Sequence, residues 1–301
     1  AMRIGIDLGG TKIEGIVLDN KGRERTRKRV PTPNGDYQGT VFAIRDLVES
    51  LCREATVDKK IPVGIGIPGA ISPATGLIKN ANSTCLIGKP LDKDLADATG
   101  RDIRLANDAD CFTISEATDG AGQGFRTVFG VILGTGCGGG FVVEGKLLNG
   151  PNAITGEWGH NPLPWASDAE RPGPKCYCGK QGCIETFVSG LGLSKAYEEC
   201  TGEFRTAAEI SALAKSEDIA AVQALSLYET RLARALAGII NVLDPHVIVL
   251  GGGLSNIDRL YRTIPQLWGQ WVFSDEAETP LIQNKHGDSS GVRGAAWLWD
   301  Y

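Results

Sequence analysis

Three glycine-punctuated turns, each closing a β-branched apolar run, set what this chain can fold into. They are Ile4-Gly5-Ile6-Asp7-Leu8-Gly9-Gly10-Thr11-Lys12, Gly134-Thr135-Gly136-Cys137-Gly138-Gly139-Gly140 and Gly251-Gly252-Gly253-Leu254-Ser255-Asn256. Such a run reads as a strand, and glycine at its end lets the backbone turn tightly and approach a neighbour closely. Oriented backbone N–H groups at these turns form concavities that suit anions. Two of the turns facing each other would clamp a nucleoside triphosphate from both sides, which points to phosphoryl transfer.

The first two pieces read as copies of one unit. Ile4–Leu8 aligns with Phe129–Leu133, which places Gly5 against Gly130 and Gly9 against Gly134. A second apolar run follows each turn, at Ile13–Leu18 and Phe141–Val143, and a polar turn follows that, at Asp19-Asn20-Lys21-Gly22 and Glu144-Gly145-Lys146. A repeated strand–turn–strand hairpin predicts two related lobes. Any one of these turns alone would serve equally well as a plain connection between strands. The repeat, with Asp7 in its first copy, favours the nucleotide. A dinucleotide fold is disfavoured, because Gly9-Gly10-Thr11 is not G-x-G-x-x-G and a strand rather than a helix follows it.

At 301 residues the chain is more naturally two domains than one. The expected division is an N-terminal α/β lobe over 1–117, completed by a C-terminal helix at 288–301, and a C-terminal α/β lobe over 118–287. Lys and Arg number 31 against 36 Asp and Glu, a net charge of −5, so no basic footprint points to nucleic acid. The basic stretch Arg23–Arg29 reads as a solvated hairpin edge. No apolar run has membrane-spanning length and no signal-peptide pattern is present, so a soluble, cytoplasmic protein is expected.

Local signals place the remaining elements. Asp36 is positioned to cap a helix carrying Val41, Ile44, Leu47, Val48 and Leu51 at helical spacing. Ile61–Ile67 is a buried strand ending at Pro68-Gly69, and Ile103–Ala106 another, stopping at Asn107-Asp108 before a helix over about 110–117. Gly150–Lys175 has no period and reads as an ordered functional loop. Thr206 with Glu209 forms a capping-box pattern. A long helix over about 219–242 precedes the strand Val247–Leu250, and a short apolar helix over about 292–299 ends the chain. Strands and helices alternate, the pattern of an α/β fold.

Chemistry-bearing residues gather at three places. Asp108 follows a strand end, where α/β sheets present ligands. It reads either as a helix cap or as a base that takes the proton of a hydroxyl attacking a γ-phosphate. Gly156-Glu157-Trp158-Gly159-His160 offers a carboxylate and an imidazole one helical turn apart, suited to paired hydrogen bonds with sugar hydroxyls. Cys176, Cys178 and Cys183 lie within eight residues. Either they are three reduced thiols in a turn, or with His160 they make a Cys3His zinc set, whose four ligands close the site and make it structural. Cys52, Cys85, Cys111, Cys137 and Cys200 are scattered and read as reduced small hydrophobes without an assigned role.

With these residues in view the chain resembles the ROK (repressor, open reading frame, kinase) family of sugar kinases. Asp7-x-Gly9-x-Thr11-Lys12 and Gly134-Thr135-Gly136 are similar to its phosphate motifs. Gly156-Glu157-x-Gly159-His160 and Cys176-x-Cys178-Gly179-x-x-Gly182-Cys183-x-Glu185 are similar to its signature and zinc loop. The resemblance runs from about Arg3 to Trp299. It is nearest to the bacterial fructokinase, or manno(fructo)kinase, branch through Asn80-Ala81-Asn82-Ser83-Thr84, Gly156–Trp165 and Lys285–Gly294. Cys85 departs from that branch, whose members tend to carry an aromatic there.

The resemblance implies an actin-like, ribonuclease-H-like ATPase fold with a duplicated core and an inter-lobe cleft. It implies Asp108 as general base, and Gly69, Asn82, Asn107, Glu157, His160 and Glu185 as sugar-binding residues. ATP with Mg²⁺ falls to Asp7, Gly9, Gly10, Thr11, Lys12, Gly134, Thr135, Gly136, Gly252 and Gly253, and structural Zn²⁺ to His160, Cys176, Cys178 and Cys183. The implied reaction is phosphorylation of D-fructose, with mannose as a second substrate and a homodimer as the assembly. N-acetylglucosamine or glucose is the alternative substrate. A sugar-responsive repressor of the same family is less expected, because the first strand begins at Arg3 and leaves no DNA-binding module ahead of it.

Overall fold

The computed structural model describes residues 1–81 and 83–300. In chain order the strands and α-helices are β1 (Met2–Leu8), β2 (Lys12–Asp19), β3 (Glu24–Pro31), α1 (Tyr37–Ala55), β4 (Val63–Ile67), β5 (Ala70–Ile71), β6 (Ile78–Lys79), α2 (Leu91–Thr99), β7 (Ile103–Asn107) and α3 (Asp108–Asp119). There follow β8 (Thr127–Leu133), β9 (Cys137–Val143), β10 (Lys146–Leu147), α4 (Ile184–Val188), α5 (Gly190–Thr201), α6 (Ala207–Lys215), α7 (Ile219–Leu243), β11 (Val247–Gly251), α8 (Leu260–Leu267), β12 (Leu281–Gln283) and α9 (Ser290–Ala296). They divide into two compact units, one of residues 1–123, 145–155 and 286–301, the other of 124–144 and 156–285. The segment 145–155 thus groups with the first unit, whereas an uninterrupted second lobe had been expected to contain it. No helix among the described residues is long and apolar enough to cross a membrane.

The first unit is built on a sheet in the order β3-β2-β1-β4-β7. β1 and β2 form the expected antiparallel hairpin, from Met2 opposite Asp19 to Leu8 opposite Ile13. β1, β4 and β7 run parallel, so their C-terminal ends lie side by side. On one face α1 packs through Val41, Ile44, Leu47, Val48 and Leu51, all buried. The Asp36 side chain caps it by accepting the Gly39 N–H at 2.8 Å. This helix is therefore held at one end by its cap and along one stripe by apolar burial.

The other face receives α9. A Cβ at Gly64 on β4 would stand 1.9 Å from the Ala295 oxygen, and one at Gly294 on α9 would stand 1.7 Å from the Cys111 oxygen on α3. Glycine is required at both because backbones touch with no layer of side chains between them, α9 against β4 at Gly64 and α9 against α3 at Gly294. Gly64→Ala should lower the stability of this unit by about 1–3 kcal/mol or more, read as an earlier unfolding transition in urea. A transition unchanged from wild type would show that α9 shifts at no cost.

The second unit repeats the plan. Its strands run β9-β8-β11-β12, with β8 and β9 antiparallel and β8, β11 and β12 parallel. That order and polarity match β2-β1-β4-β7, as the aligned hairpins predicted. Phe129, Val131, Leu133, Ile248 and Leu250 of the sheet pack with Leu225, Leu232 and Leu236 of α7 into one buried core.

Candidate active site

In the first unit, register brings the expected residues to one end of the sheet. Asp7 lies opposite Gly66, and Ile67 opposite Asn107. Burial, then the charges of Asp108 and Glu14, raise the Asp7 carboxyl to about 6 against the opposing pull of Lys12. The turn after it is closed by the Gly9 N–H donating to the Lys12 oxygen at 3.0 Å. Thr32 braces it, its hydroxyl donating to the Gly9 oxygen at 2.8 Å and its N–H to the Thr11 oxygen at 3.0 Å. Gly10, Thr11 and Lys12 are exposed.

Asn107 and Asp108 stand together at the start of α3. Asn107 is the N-cap of α3, its Oδ1 accepting the Ala109 N–H at 2.8 Å. Asp108 is the first helical residue and its Oδ1 also accepts that N–H, at 2.9 Å. Asp108 keeps solvent access. Crowding of protein around its carboxyl nevertheless raises its pKa above the ordinary carboxylate value, opposed by the N–H groups of Ala109 and of Asp108 itself. A carboxylate that a substrate can reach and whose proton affinity is enhanced has the properties a base needs.

Cys111, one turn further along α3, had no assigned role in the sequence. It is buried with its thiol pKa pushed well up by that burial and by Asp7, Asp110 and Asp108, so it is a neutral filler beneath the two carboxylates. Gly69 follows β4, and a Cβ there would meet the Lys79 oxygen at 2.6 Å, so the Lys79–Ala81 strand end lies directly on it. Asn82, next along, lies outside the described residues.

In the second unit, Gly134-Thr135-Gly136 joins β8 to β9, closed by the Gly134 N–H donating to the Gly136 oxygen at 3.1 Å. Gly252 takes a φ of 82°, and a Cβ on it would stand 2.3 Å from the Leu133 oxygen. The second and third glycine turns are therefore neighbours at the ends of parallel β8 and β11. Glu185 reaches the same place, its Oε1 accepting the Cys137 N–H at 2.9 Å.

The Gly156–His160 segment lies flush on β9. A Cβ at Gly156 would meet the Gly139 oxygen at 2.1 Å, and the Trp158 indole N–H donates to the Gly138 oxygen at 3.1 Å. Trp158–His160 is a 3-10 turn. It puts His160 Nε2 4.0 Å from Glu157 Oε2 and leaves Nδ1 pointing the other way, 3.5 Å from Cys176 Sγ. Tyr177, unremarked in the sequence, stands edge-on to the imidazole with its hydroxyl 3.2 Å from Nε2.

His160 Nδ1 or Nε2 and the sulfurs of Cys176, Cys178 and Cys183 all lie within 4.8 Å of one another. Cys178 and Cys183 are 3.6 Å apart at sulfur. A tetrahedral zinc with Zn–S bonds of about 2.3 Å has S···S edges of about 3.8 Å, so the donor set fits that ion. The Lys180 backbone N–H draws the Cys178 thiol down to about 7, while burial and then the neighbouring thiols push Cys183 up to about 12.

A buried ionic network anchors the loop ahead of this cluster. Glu170 accepts from Arg231 Nε and Arg234 Nη2, each at 2.7 Å, and Arg234 Nη1 donates to the Trp165 oxygen at 3.0 Å. None of the three was singled out from sequence. The available signal was the pair of arginines three apart on the apolar stretch of α7.

The sequence matches the ROK family over residues 3–301. The N-acetyl-D-glucosamine kinase of Pectobacterium atrosepticum is 40% identical over 304 residues, spanning 99% of this chain and 98% of that protein. The crystal structure of the ROK hexokinase from Thermus thermophilus superposes with a TM-score of 0.86 at 30% identity, covering 99% of this chain and 97% of the other. The ROK family glucokinase from Streptomyces griseus, determined with glucose and AMPPNP, superposes with a TM-score of 0.76 at 27% identity, covering 99% of each chain.

Proposed function

The chain belongs to the ROK family and is a sugar kinase of actin-like fold that transfers phosphate to a hexose, and we propose that this hexose is N-acetyl-D-glucosamine. The motif resemblance alone favoured D-fructose, with mannose second. That preference gives way to its alternative, because relatives 40% identical across 99% of the chain are N-acetyl-D-glucosamine kinases. This observation carries the proposal. Cys85 is in keeping with it, since a thiol stands where the fructokinase branch tends to place an aromatic.

In this reading Asp108 takes the proton of the attacking hydroxyl, a role supported by its solvent access and raised pKa. Glu157, His160 and Glu185 are assigned to ring hydroxyls, as are Gly69 and Asn107, and the resemblance assigns the same role to Asn82. The glycine turns at 9–12, 134–136 and 252–253 offer backbone N–H groups to the polyphosphate. Asp7, a carboxylate whose charge the fold itself disfavours, is suited to the Mg²⁺ that accompanies ATP. Mg²⁺ would neutralise charge on the transferring phosphoryl group. Zinc would hold the 3-10 turn so that His160 presents Nε2 beside Glu157, the other ring nitrogen being committed to the metal. A cytoplasmic location, where ATP is supplied, is part of this proposal.

Steady-state kinetics over N-acetylglucosamine, glucose, mannose and fructose test the assignment. We expect kcat/KM for N-acetylglucosamine to exceed that for fructose by at least about tenfold, roughly 1.4 kcal/mol of transition-state binding. A preference for fructose would keep the kinase and overturn the substrate.

A further inference from the structure

We infer that Glu185 is a positioning residue for the nucleotide turn as well as a hexose contact, and that it couples the two ligands. The inference rests on the reading of Gly134–Gly136 as a phosphate turn. Glu185 Oε1 accepts the N–H of Cys137, the residue that ends that turn, at 2.9 Å. A Cβ on Gly136 would stand 2.9 Å from the same oxygen, so the carboxylate lies directly against the turn. The start of the turn is tied to the same segment of chain, since the Gly190 N–H donates to the Gly134 oxygen at 2.7 Å. Between these two ties lies α4, whose end is closed by the Ser189 N–H donating to the Glu185 oxygen at 3.1 Å. One short segment, α4 with the first residue of α5, therefore grips both ends of the turn.

The same helix is tied to the proposed hexose side. It begins directly after the zinc-ligand candidate Cys183, and its Ile184 N–H donates to the Asn161 oxygen at 2.8 Å, beside His160. Among the described residues no recorded hydrogen bond engages Glu185 Oε2, which leaves that oxygen for a sugar hydroxyl. A hydroxyl bound there orders the carboxylate, and through it the Cys137 N–H and the turn. Binding linkage makes the effect reciprocal, so nucleotide in the turn tightens hexose binding by the same factor.

Calorimetric titration of the zinc-loaded enzyme with Mg²⁺–AMPPNP, without sugar, is the direct test. Glu185→Ala should weaken nucleotide binding roughly tenfold, as expected when a buried N–H loses a charged acceptor. Glu185→Gln keeps an acceptor for Cys137 and should hold nucleotide affinity within about twofold, while the hexose KM rises. Gly136→Ala, in which the added methyl displaces the carboxylate, should raise the hexose KM although the substitution lies in the nucleotide turn. Equal zinc content in all three excludes loss of metal as the cause. Wild-type affinity in Glu185→Ala, or an unchanged hexose KM in Gly136→Ala, overturns the coupling and leaves the kinase assignment intact. Failure of the wild type itself to bind Mg²⁺–AMPPNP overturns the phosphate-turn reading, and the coupling with it. Should Glu185→Ala not fold, the Gly136→Ala measurement decides alone.

Discussion

Asp108→Asn should lower kcat by about two to four orders of magnitude, the usual loss on removing a general base. Hexose and nucleotide affinities should stay within a few-fold. The amide has the carboxylate's shape and can still accept the Ala109 N–H, and Asn107 caps α3 independently. The fold therefore loses at most the interaction of one charge with the helix terminus, about 0.3–1 kcal/mol. Only the ability to take a proton disappears.

The pH profile supplies a second readout. A base must be ionised, so wild-type kcat falls as the pH drops through the Asp108 pKa, and that pKa is raised. The acid limb should accordingly lie above the ordinary carboxylate range and be absent from the residual activity of the variant. A kcat within a few-fold of wild type would reduce Asp108 to a residue of the helix start.

Cys178→Ser should abolish stoichiometric zinc, of which the wild type is expected to hold about one per chain. Structural zinc contributes folding free energy outright, about 10–16 kcal/mol in isolated zinc-binding peptides. Most of that is offset here by ordering the loop, but enough should remain to lower the melting temperature measurably. The hexose KM should rise more than kcat falls, because His160 and the turn before it lose their anchor while Asp108 is untouched. Wild-type protein without zinc, in which Cys178 reacts with a thiol reagent as readily as the exposed Cys200, would remove the metal from the account.

Much of the local structure was legible because its causes are local. Apolar spacing located α7 to within a residue or two and the buried stripe of α1, and Asp36 capped as its position implied. The expected helix at about 292–299 is observed as α9 over Ser290–Ala296. The capping box foreseen at Thr206 and Glu209 is only half formed, Thr206 accepting the Glu209 N–H. A reciprocal box stands instead at Ser167 and Glu170. Spacing marks which residues can cap; whether the glutamate reaches back depends on what else competes for its carboxylate. Hexose identity was not legible, because neither the phosphate motifs nor the zinc loop encodes which sugar is bound.

By itself the sequence determined the repeated strand–turn–strand unit, the Cys3His donor set and the carboxylate at the end of β7. Each is written in residue types and short-range spacings that can be read without knowing which distant segments pack together. The tertiary structure alone decided that Asn107 is the N-cap of α3 while Asp108 is its first residue, that Cys111 lies buried beside Asp7 and Asp108, and that Glu185 meets the N–H of Cys137. It also decided that α9, the helix expected to complete the first lobe, meets β4 backbone to backbone at Gly64. These outcomes depend on which distant backbone groups become neighbours once two sheets and their helices have packed. Partners separated by 48 residues, as Glu185 and Cys137 are, leave no periodicity and no motif, because the hydrogen bond that joins them exists only after the turns have closed.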